Sequence, residues 1–325
     1  MVPPSTRARY SSTSHAIGRL ALYSGTMTGI GAVWTAVVAA GWLLTGGDAN
    51  SGAVPYLRNA LIATFVSGSV LFLTLFLLHR FLVPPRGYVY RPVDGAAVHI
   101  GLTAYNDELS IGDAVRDFKT AAGVDRVIVV DNASRDATSR AAREAGADRV
   151  VTEEIPGYGS CCMRALAVAA EGADVVVLCE GDGTFRGSDV RKLLAYLENC
   201  DLVLGTRSTQ ELRETDTQMD WLINPANQIV AKLVQVRFWG TRLTDVGCTY
   251  RAIRTDAYRA LAPRLTVRGN HFSPHMYIEA LKLGMRVIEV PVTFAHRVGV
   301  SKGVGNSRTK AARVALRMLG LIYRA

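Results

Sequence analysis

Two stretches of this chain of 325 residues carry no charged side chain, residues 20–47 and residues 59–79. Each exceeds the roughly 20 residues that span a bilayer as helix. A water-soluble fold would have to bury both on every side, so the pattern predicts a transmembrane hairpin over 20–83, after a tail at 1–19. The second run, Leu61 to Leu78, is the more apolar; the first is richer in Gly and Thr. A buried core helix is the rival for the second run. A cleaved signal peptide fits poorly, because there are two runs and the first is long for such a segment.

Flanking charge sets the expected orientation. Arg7, Arg9 and Arg19 precede the first run, Arg80, Arg86 and Arg91 follow the second, and the connecting segment holds only Asp48 and Arg58. Cationic flanks stay on the cytoplasmic side, which places both termini and everything after the hairpin inside the cell membrane. The five cysteines, at 161, 162, 179, 200 and 248, show no metal-ligand spacing and agree with a reducing compartment.

Residues 84–96 form a linker bearing Pro84, Pro85, Gly87, Pro92 and Gly95. Beyond it, short apolar segments alternate with segments of helical spacing. Strands are expected at Ala97–Thr103, Arg126–Val130, Arg149–Thr152, Val175–Cys179 and Asp201–Gly205. Helices are expected at Glu108–Ala121, Arg135–Ala145, Ser160–Ala170 and, N-capped near Ser188, Ser188–Leu197. This alternation predicts an α/β fold with a doubly wound, mostly parallel sheet. The later chain is less regular: a polar segment at 208–220, an amphipathic helix at Trp221–Trp239, a strand around Cys248–Ile253, helices near Asp256–Leu261 and Pro274–Leu283, and a last strand at Arg286–Phe294.

The chemistry-bearing residues cluster where strands end. Val175–Cys179 runs straight into Glu180-Gly181-Asp182, two carboxylates one residue apart. At the C-terminal edge of a parallel sheet they face the crevice where such folds bind ligands. Two hard oxygen ligands suit Mg²⁺ or Mn²⁺, which need few protein ligands when substrate phosphates supply the rest. A solvated acidic turn is the plain alternative. Asp131 ends the second strand, where it either accepts hydrogen bonds from a nucleoside or caps the turn at Ser134-Arg135-Asp136. Asp136 reads as a structural cap. Gly157 and Gly159 allow close backbone approach at a helix N-terminus, a place that favours anions.

Taken in order, Thr103-Ala104-Tyr105-Asn106-Asp107-Glu108, Asp131-Asn132-Ala133-Ser134-Arg135-Asp136, Gly157-Tyr158-Gly159, Glu180-Gly181-Asp182, Asp245-Val246-Gly247-Cys248-Thr249-Tyr250-Arg251 and Arg297-Val298-Gly299-Val300-Ser301-Lys302 resemble the GT-A glycosyltransferases of family 2. Within them they resemble the dolichol- or polyprenyl-phosphate hexose synthases, over about residues 97–302. The resemblance implies a GT-A domain at 97–302 that binds a nucleotide sugar, GDP- or UDP-linked. Ala104, Tyr105, Asp107, Asp131, Gly157, Gly159, Glu180 and Arg207 would lie on the donor, and Glu180 and Asp182 would hold Mg²⁺ or Mn²⁺. Family members usually carry Asp-x-Asp; with Glu at the first position, Glu180 either reaches the metal differently or binds the ribose.

Asp245 matches the Asp before a Gly-Phe-Arg-like turn and would serve as base, orient the acceptor, hold metal, or cap the turn. Arg297 and Lys302 resemble an Arg-x-x-Gly-x-Ser-Lys element, here one residue shorter between Arg and Gly, two cations suited to the donor diphosphate or to a lipid phosphate. Arg207 joins them or forms a surface ion pair. Glu279 matches an acidic family position.

The expected activity is inverting transfer of a hexose to a polyprenyl phosphate. The alternatives are transfer to a hydroxyl of a lipid-linked or cell-envelope glycan, which would require Asp245 to be a true base, and a non-catalytic membrane-tethered scaffold. From Val290 onward the chain has seven Lys or Arg and no acid. Residues 303–325 are expected to form a basic amphipathic helix suited to an anionic membrane surface. With little aromatic content for base stacking, that tail does not point to nucleic acid.

Overall fold

The computed structural model describes residues 4–44, 53–83, 86–215, 217, 223–239, 242–298 and 308–325. The chain forms two compact units, residues 1–86 with 236–240, and residues 87–235 with 241–325.

The first unit is built from α1 (Pro4–Leu44) and α2 (Ala53–Leu82). Within them Ser14–Trp42 and Pro55–Leu82, of mean hydropathy 1.2 and 2.4, are long and apolar enough to cross a membrane. Only 11% and 6% of their most apolar windows are buried, which sets them apart from core helices. Outward side chains such as Ile30, Val33, Trp34, Phe65, Val70 and Leu73 are exposed and apolar. The two helices meet through small residues: a Cβ on Gly68 would lie 2.8 Å from Cβ of Thr28, and one on Gly31 3.1 Å from the Thr64 methyl. Close backbone approach of this kind is how helices associate where lipid removes the hydrophobic drive. Residues 236–240 complete the unit, with the Trp239 ring 5.2 Å from His79 and 5.6 Å from Phe72.

The second unit contains one seven-stranded sheet. Its strands are β1 (Val98–Ala104), β2 (Arg126–Asp131), β3 (Arg149–Thr152), β4 (Val175–Glu180), β5 (Leu202–Thr206), β6 (Arg251–Arg254) and β7 (Val287–Pro291). They lie in the order β3-β2-β1-β4-β6-β5-β7. Every residue of β1 and all but the last of β4 are buried, as expected of parallel strands covered on both faces. The helices that follow in the chain are α3 (Ile111–Lys119), α4 (Thr138–Glu144), α5 (Tyr158–Ala169), α6 (Val190–Leu197), α7 (Ile223–Phe238), of which residues 223–235 fall in this unit, α8 (Thr255–Leu261), α9 (Phe272–Lys282) and α10 (Arg308–Arg324). Phe118 and Phe185 meet Tyr250 edge to face at 5.8 and 5.3 Å in the core beneath the site.

The doubly wound pattern expected from the sequence is present, with one change. The strand expected around 248–253 is β6, shorter, and it runs antiparallel to both neighbours, Val175 opposite Arg254 and Leu202 opposite Ile253. Its earlier residues, Cys248 to Tyr250, lie outside the strand, and the Tyr250 carbonyl accepts from the Gly205 amide at 2.8 Å. The helix cap expected near Ser188 is also absent. A short 3₁₀ turn, Gly187–Asp189, precedes α6, and the Asp189 carboxylate binds the Thr293 amide at 2.5 Å and Lys192 at 2.6 Å. The segment read as a linker is strapped to this unit from Gly87 on: Arg91 pairs with Asp201 at 2.5 Å and Arg286 donates to the Gly87 carbonyl at 2.7 Å. The last helix belongs to the same unit, with Ile322 fully buried.

Register fixes where the site lies. Ala104 is level with Asp131 across β1 and β2, and Thr103 with Glu180 across β1 and β4. The chain steps outward from β1 in both directions, so the ends of β1 and β4 form the switch point where open α/β sheets bind ligands.

Candidate functional site

Glu180 and Asp182 sit at that switch point, and each is fixed differently. Asp182 is 2% exposed; its Oδ1 accepts from the Thr184 amide at 3.1 Å and hydroxyl at 2.6 Å. Its Oδ2 faces the Arg297 guanidinium at 3.0 Å. Glu180 is half-buried, and its Oε1 accepts from the Thr249 hydroxyl at 2.6 Å. Its Oε2 has no hydrogen-bond partner among the described residues. Burial first, and then the charge of Asp182, push the Glu180 carboxyl up to about 7.

Arg297 bridges two loops. One guanidinium nitrogen meets Asp182, and the other donates to Asp107 Oδ1 at 3.2 Å. Asp107 Oδ2 in turn accepts from the Tyr105 amide at 2.9 Å, closing the loop after β1. Tyr105 is 44% exposed, while Ala104 is buried with its carbonyl accepting from the Asn132 amide at 2.9 Å. Lys302, with Gly299 to Ser301, lies outside the described residues.

Asp131 does the structural half of what its position suggested. It accepts from the Ser134 amide at 3.0 Å, from the Ser134 hydroxyl, and from the Ser139 hydroxyl at 2.6 Å. Asp136, one residue before the N-cap position of α4, accepts from the Thr138 amide at 3.0 Å.

Asp245 is the most completely bonded carboxylate in the site. It is buried and accepts from five donors: the Arg207 amide at 3.1 Å, Arg207 Nε at 2.7 Å, Arg207 Nη2 at 2.9 Å, Asn227 Nδ2 at 2.5 Å and the Gly247 amide at 2.9 Å. Burial pulls its carboxyl upward, but the Arg207 charge and these hydrogen bonds outweigh that and hold it below the ordinary range. The Arg207 side chain is only 19% exposed, so this is no surface pair. Burial works against the Arg207 charge, and Asp245 more than restores it. Behind them, Glu289 of β7 accepts from the Thr244 and Asp245 amides, each at 2.9 Å. Sequence reading missed Asn227 and Glu289. An acid between Ile288 and Val290 in an otherwise apolar strand was the available signal for Glu289.

The glycine loop is packed against protein. The space that Gly157 and Gly159 leave is filled by backbone. A Cβ on Gly157, at φ +131, would lie 2.4 Å from the Arg268 carbonyl oxygen, and one on Gly159 2.2 Å from that of Val267. The Gly159 amide already donates to Arg268 at 2.8 Å, so it is not offered to an anion. Gly159→Ala is therefore expected to cost about 1–3 kcal/mol of stability, as overpacking does, with donor KM little changed in the surviving folded enzyme. Thermal unfolding beside donor titration checks this; a raised KM at unchanged midpoint would restore the anion role.

The donor set of the pair fits a hard divalent cation. One oxygen, Asp182 Oδ2, already faces a positive group, and another, Glu180 Oε2, has no hydrogen-bond partner among the described residues. Among the described residues no group of three His, Cys, Asp or Glu could hold a metal alone. Such a pair suits an ion that draws its remaining oxygens from a bound diphosphate and water.

The chain is similar to several known proteins. The undecaprenyl-phosphate mannosyltransferase of Micrococcus luteus is 28% identical over 217 residues, covering 63% of this chain and 86% of that protein. The dolichyl-phosphate hexose transferase of Haloferax volcanii is 29% identical over 211 residues, covering 64% of this chain and 86% of its own. Among solved structures, glucosyl-3-phosphoglycerate synthase from Mycobacterium tuberculosis, in complex with Mn²⁺, uridine diphosphate and glucosyl-3-phosphoglycerate, superposes with a TM-score of 0.53 at 18% identity. That match covers 71% of this chain and 80% of the other, and it shares the GT-A-like fold. The glycosyl transferase family 2 model matches residues 100–262, half of the chain. The chain belongs to that family and is a glycosyltransferase.

Proposed function

We propose that this glycosyltransferase is anchored by its two N-terminal helices and moves a hexose from a GDP- or UDP-linked donor to a polyprenyl phosphate, with inversion and with a divalent metal. The observation that carries the reading is the set of Glu180, Asp182, Arg297 and Arg207 gathered about the ends of β1 and β4. Two relatives carry undecaprenyl phosphate and dolichyl phosphate in their names, and the solved neighbour holds Mn²⁺ with a nucleoside diphosphate.

On this reading Glu180 and Asp182 hold Mg²⁺ or Mn²⁺, which when bound supplies Lewis-acid stabilisation to the departing diphosphate. Arg297, tethered between Asp182 and Asp107, offsets negative charge on the same group, and Lys302 is its proposed companion. Tyr105 and Asp131 line the donor side of the crevice. Arg207 is held to one orientation by Asp245 and directs its charge toward the reacting phosphates. A phosphate acceptor is anionic at neutral pH and needs no strong base. Asp245, with its lone pairs filled and its proton affinity lowered, is suited to holding Arg207 and poorly suited to taking a proton from a glycan hydroxyl. The test is a donor panel with purified protein and a polyprenyl phosphate. Nucleoside diphosphate release from one GDP- or UDP-sugar, abolished by EDTA, is expected; release unaffected by EDTA would end the metal-dependent reading.

We further propose that the catalytic unit is cytoplasmic, from the Arg clusters outside both apolar runs. A cysteine placed in 48–58 is expected to react with an impermeant thiol reagent on intact cells. Labelling instead of a cysteine placed at 208–215 would invert the topology.

A further inference from the structure

A line of hydroxyl groups runs from the glycine loop to the carboxylate pair. Thr249 Oγ1 donates to Glu180 Oε1 at 2.6 Å, the Tyr158 hydroxyl meets Thr249 Oγ1, and Ser273 Oγ lies 3.5 Å from the Tyr158 hydroxyl. Thr249 and Ser273 are each 2% exposed. The direction of donation follows from proton counting. Thr249 is the donor to Glu180 Oε1, and a hydroxyl has a single proton to give. The phenol must then donate to Thr249, and Ser273 to the phenol. Burial keeps the Tyr158 phenol protonated by raising it well above its ordinary value. Such a chain polarises each successive donor toward the carboxylate.

We infer that Thr249 and Tyr158 are positioning residues that set which oxygen of Glu180 faces the crevice. A glutamate has one more rotatable bond than an aspartate, and Thr249 removes that freedom by pinning Oε1. Oε2 is thereby directed outward. Asp182 needs no such help, because Thr184 fixes it within its own turn. The same arrangement gives the glycine loop its purpose. Tyr158 stands between Gly157 and Gly159, and the backbone of Val267 and Arg268 packed into both glycines locks the phenol in place. The pinning of Glu180 thus draws on α5, on the turn before β6, and on Ser273 of α9.

The inference rests on the reading of Glu180 and Asp182 as metal ligands, and the test separates the two. Mn²⁺ binding to the purified protein is followed by loss of the free-ion electron paramagnetic resonance signal. Thr249→Val is expected to raise the half-saturating Mn²⁺ concentration about tenfold, the scale of one charge-assisted hydrogen bond. Thr249→Ser, which restores the hydroxyl, is expected to bind nearly as the parent does, and Tyr158→Phe to fall between. A merely structural role would lower the unfolding midpoint while leaving the Mn²⁺ affinity of the folded fraction alone. If Glu180→Gln and Asp182→Asn weaken Mn²⁺ binding while Thr249→Val does not, the positioning role is overturned and the metal site stands. If neither carboxylate variant changes binding, the metal reading falls and the positioning role with it.

Discussion

Asp182→Asn is expected to fold normally and to lose metal-dependent sugar transfer by roughly two to three orders of magnitude, the scale on which removal of one charge-stabilising group slows a reaction. The substitution separates the two duties of this side chain. Its Oδ1 accepts from the Thr184 amide and hydroxyl, and an asparagine oxygen can keep both bonds and the turn with them. Its Oδ2, 3.0 Å from Arg297, carries the charge, and an amide nitrogen there would offer a donor to a cation. Turnover measured across a Mn²⁺ titration, beside a thermal midpoint, checks the prediction. Unchanged activity over that titration would remove Asp182 from the metal site.

Arg207→Ala is expected to have the largest effect on stability. Asp245 is fully buried in its side chain and Arg207 is its only ion-pair partner among the described residues. Removing one member of a buried pair leaves an uncompensated charge and costs about 3–5 kcal/mol. In a domain of this size that corresponds to roughly 10 °C in the unfolding midpoint. Asp245→Asn in the same background is expected to recover much of the loss, because the stranded charge is then gone while Asn227 and the Gly247 amide keep an oxygen acceptor. Equal midpoints for the parent and Arg207→Ala would show that the pair is solvated and carries little energy.

The sheet was legible because parallel strands buried on both faces leave apolar runs; Val175–Cys179 is unbroken, and Val98–Ala104 is interrupted only by His99, Gly101 and Thr103. The polarity of β6 was not, since a strand of four residues looks the same in either direction. Residues at strand ends could be named from type and place alone. Their partners could not, because these arrive from distant segments: Thr249 to Glu180, Arg297 to Asp182 and Asp107, Arg207 to Asp245. Gly157 and Gly159 illustrate the limit. Sequence shows that something must approach closely there, and only the fold shows that it is the backbone of Val267 and Arg268. Likewise nothing local marks 236–240 as part of the unit formed by α1 and α2.

The acceptor is the central claim, and it is tested most directly by following labelled sugar from the active donor into product. With purified protein, metal, a polyprenyl phosphate and a non-phosphorylated lipid-linked glycan offered together, label is expected in a lipid sugar phosphate that mild acid releases, with inverted anomeric configuration. Label found on the glycan hydroxyl and never on the polyprenyl phosphate would contradict it, and would require a base that the five-fold bonded Asp245 does not provide.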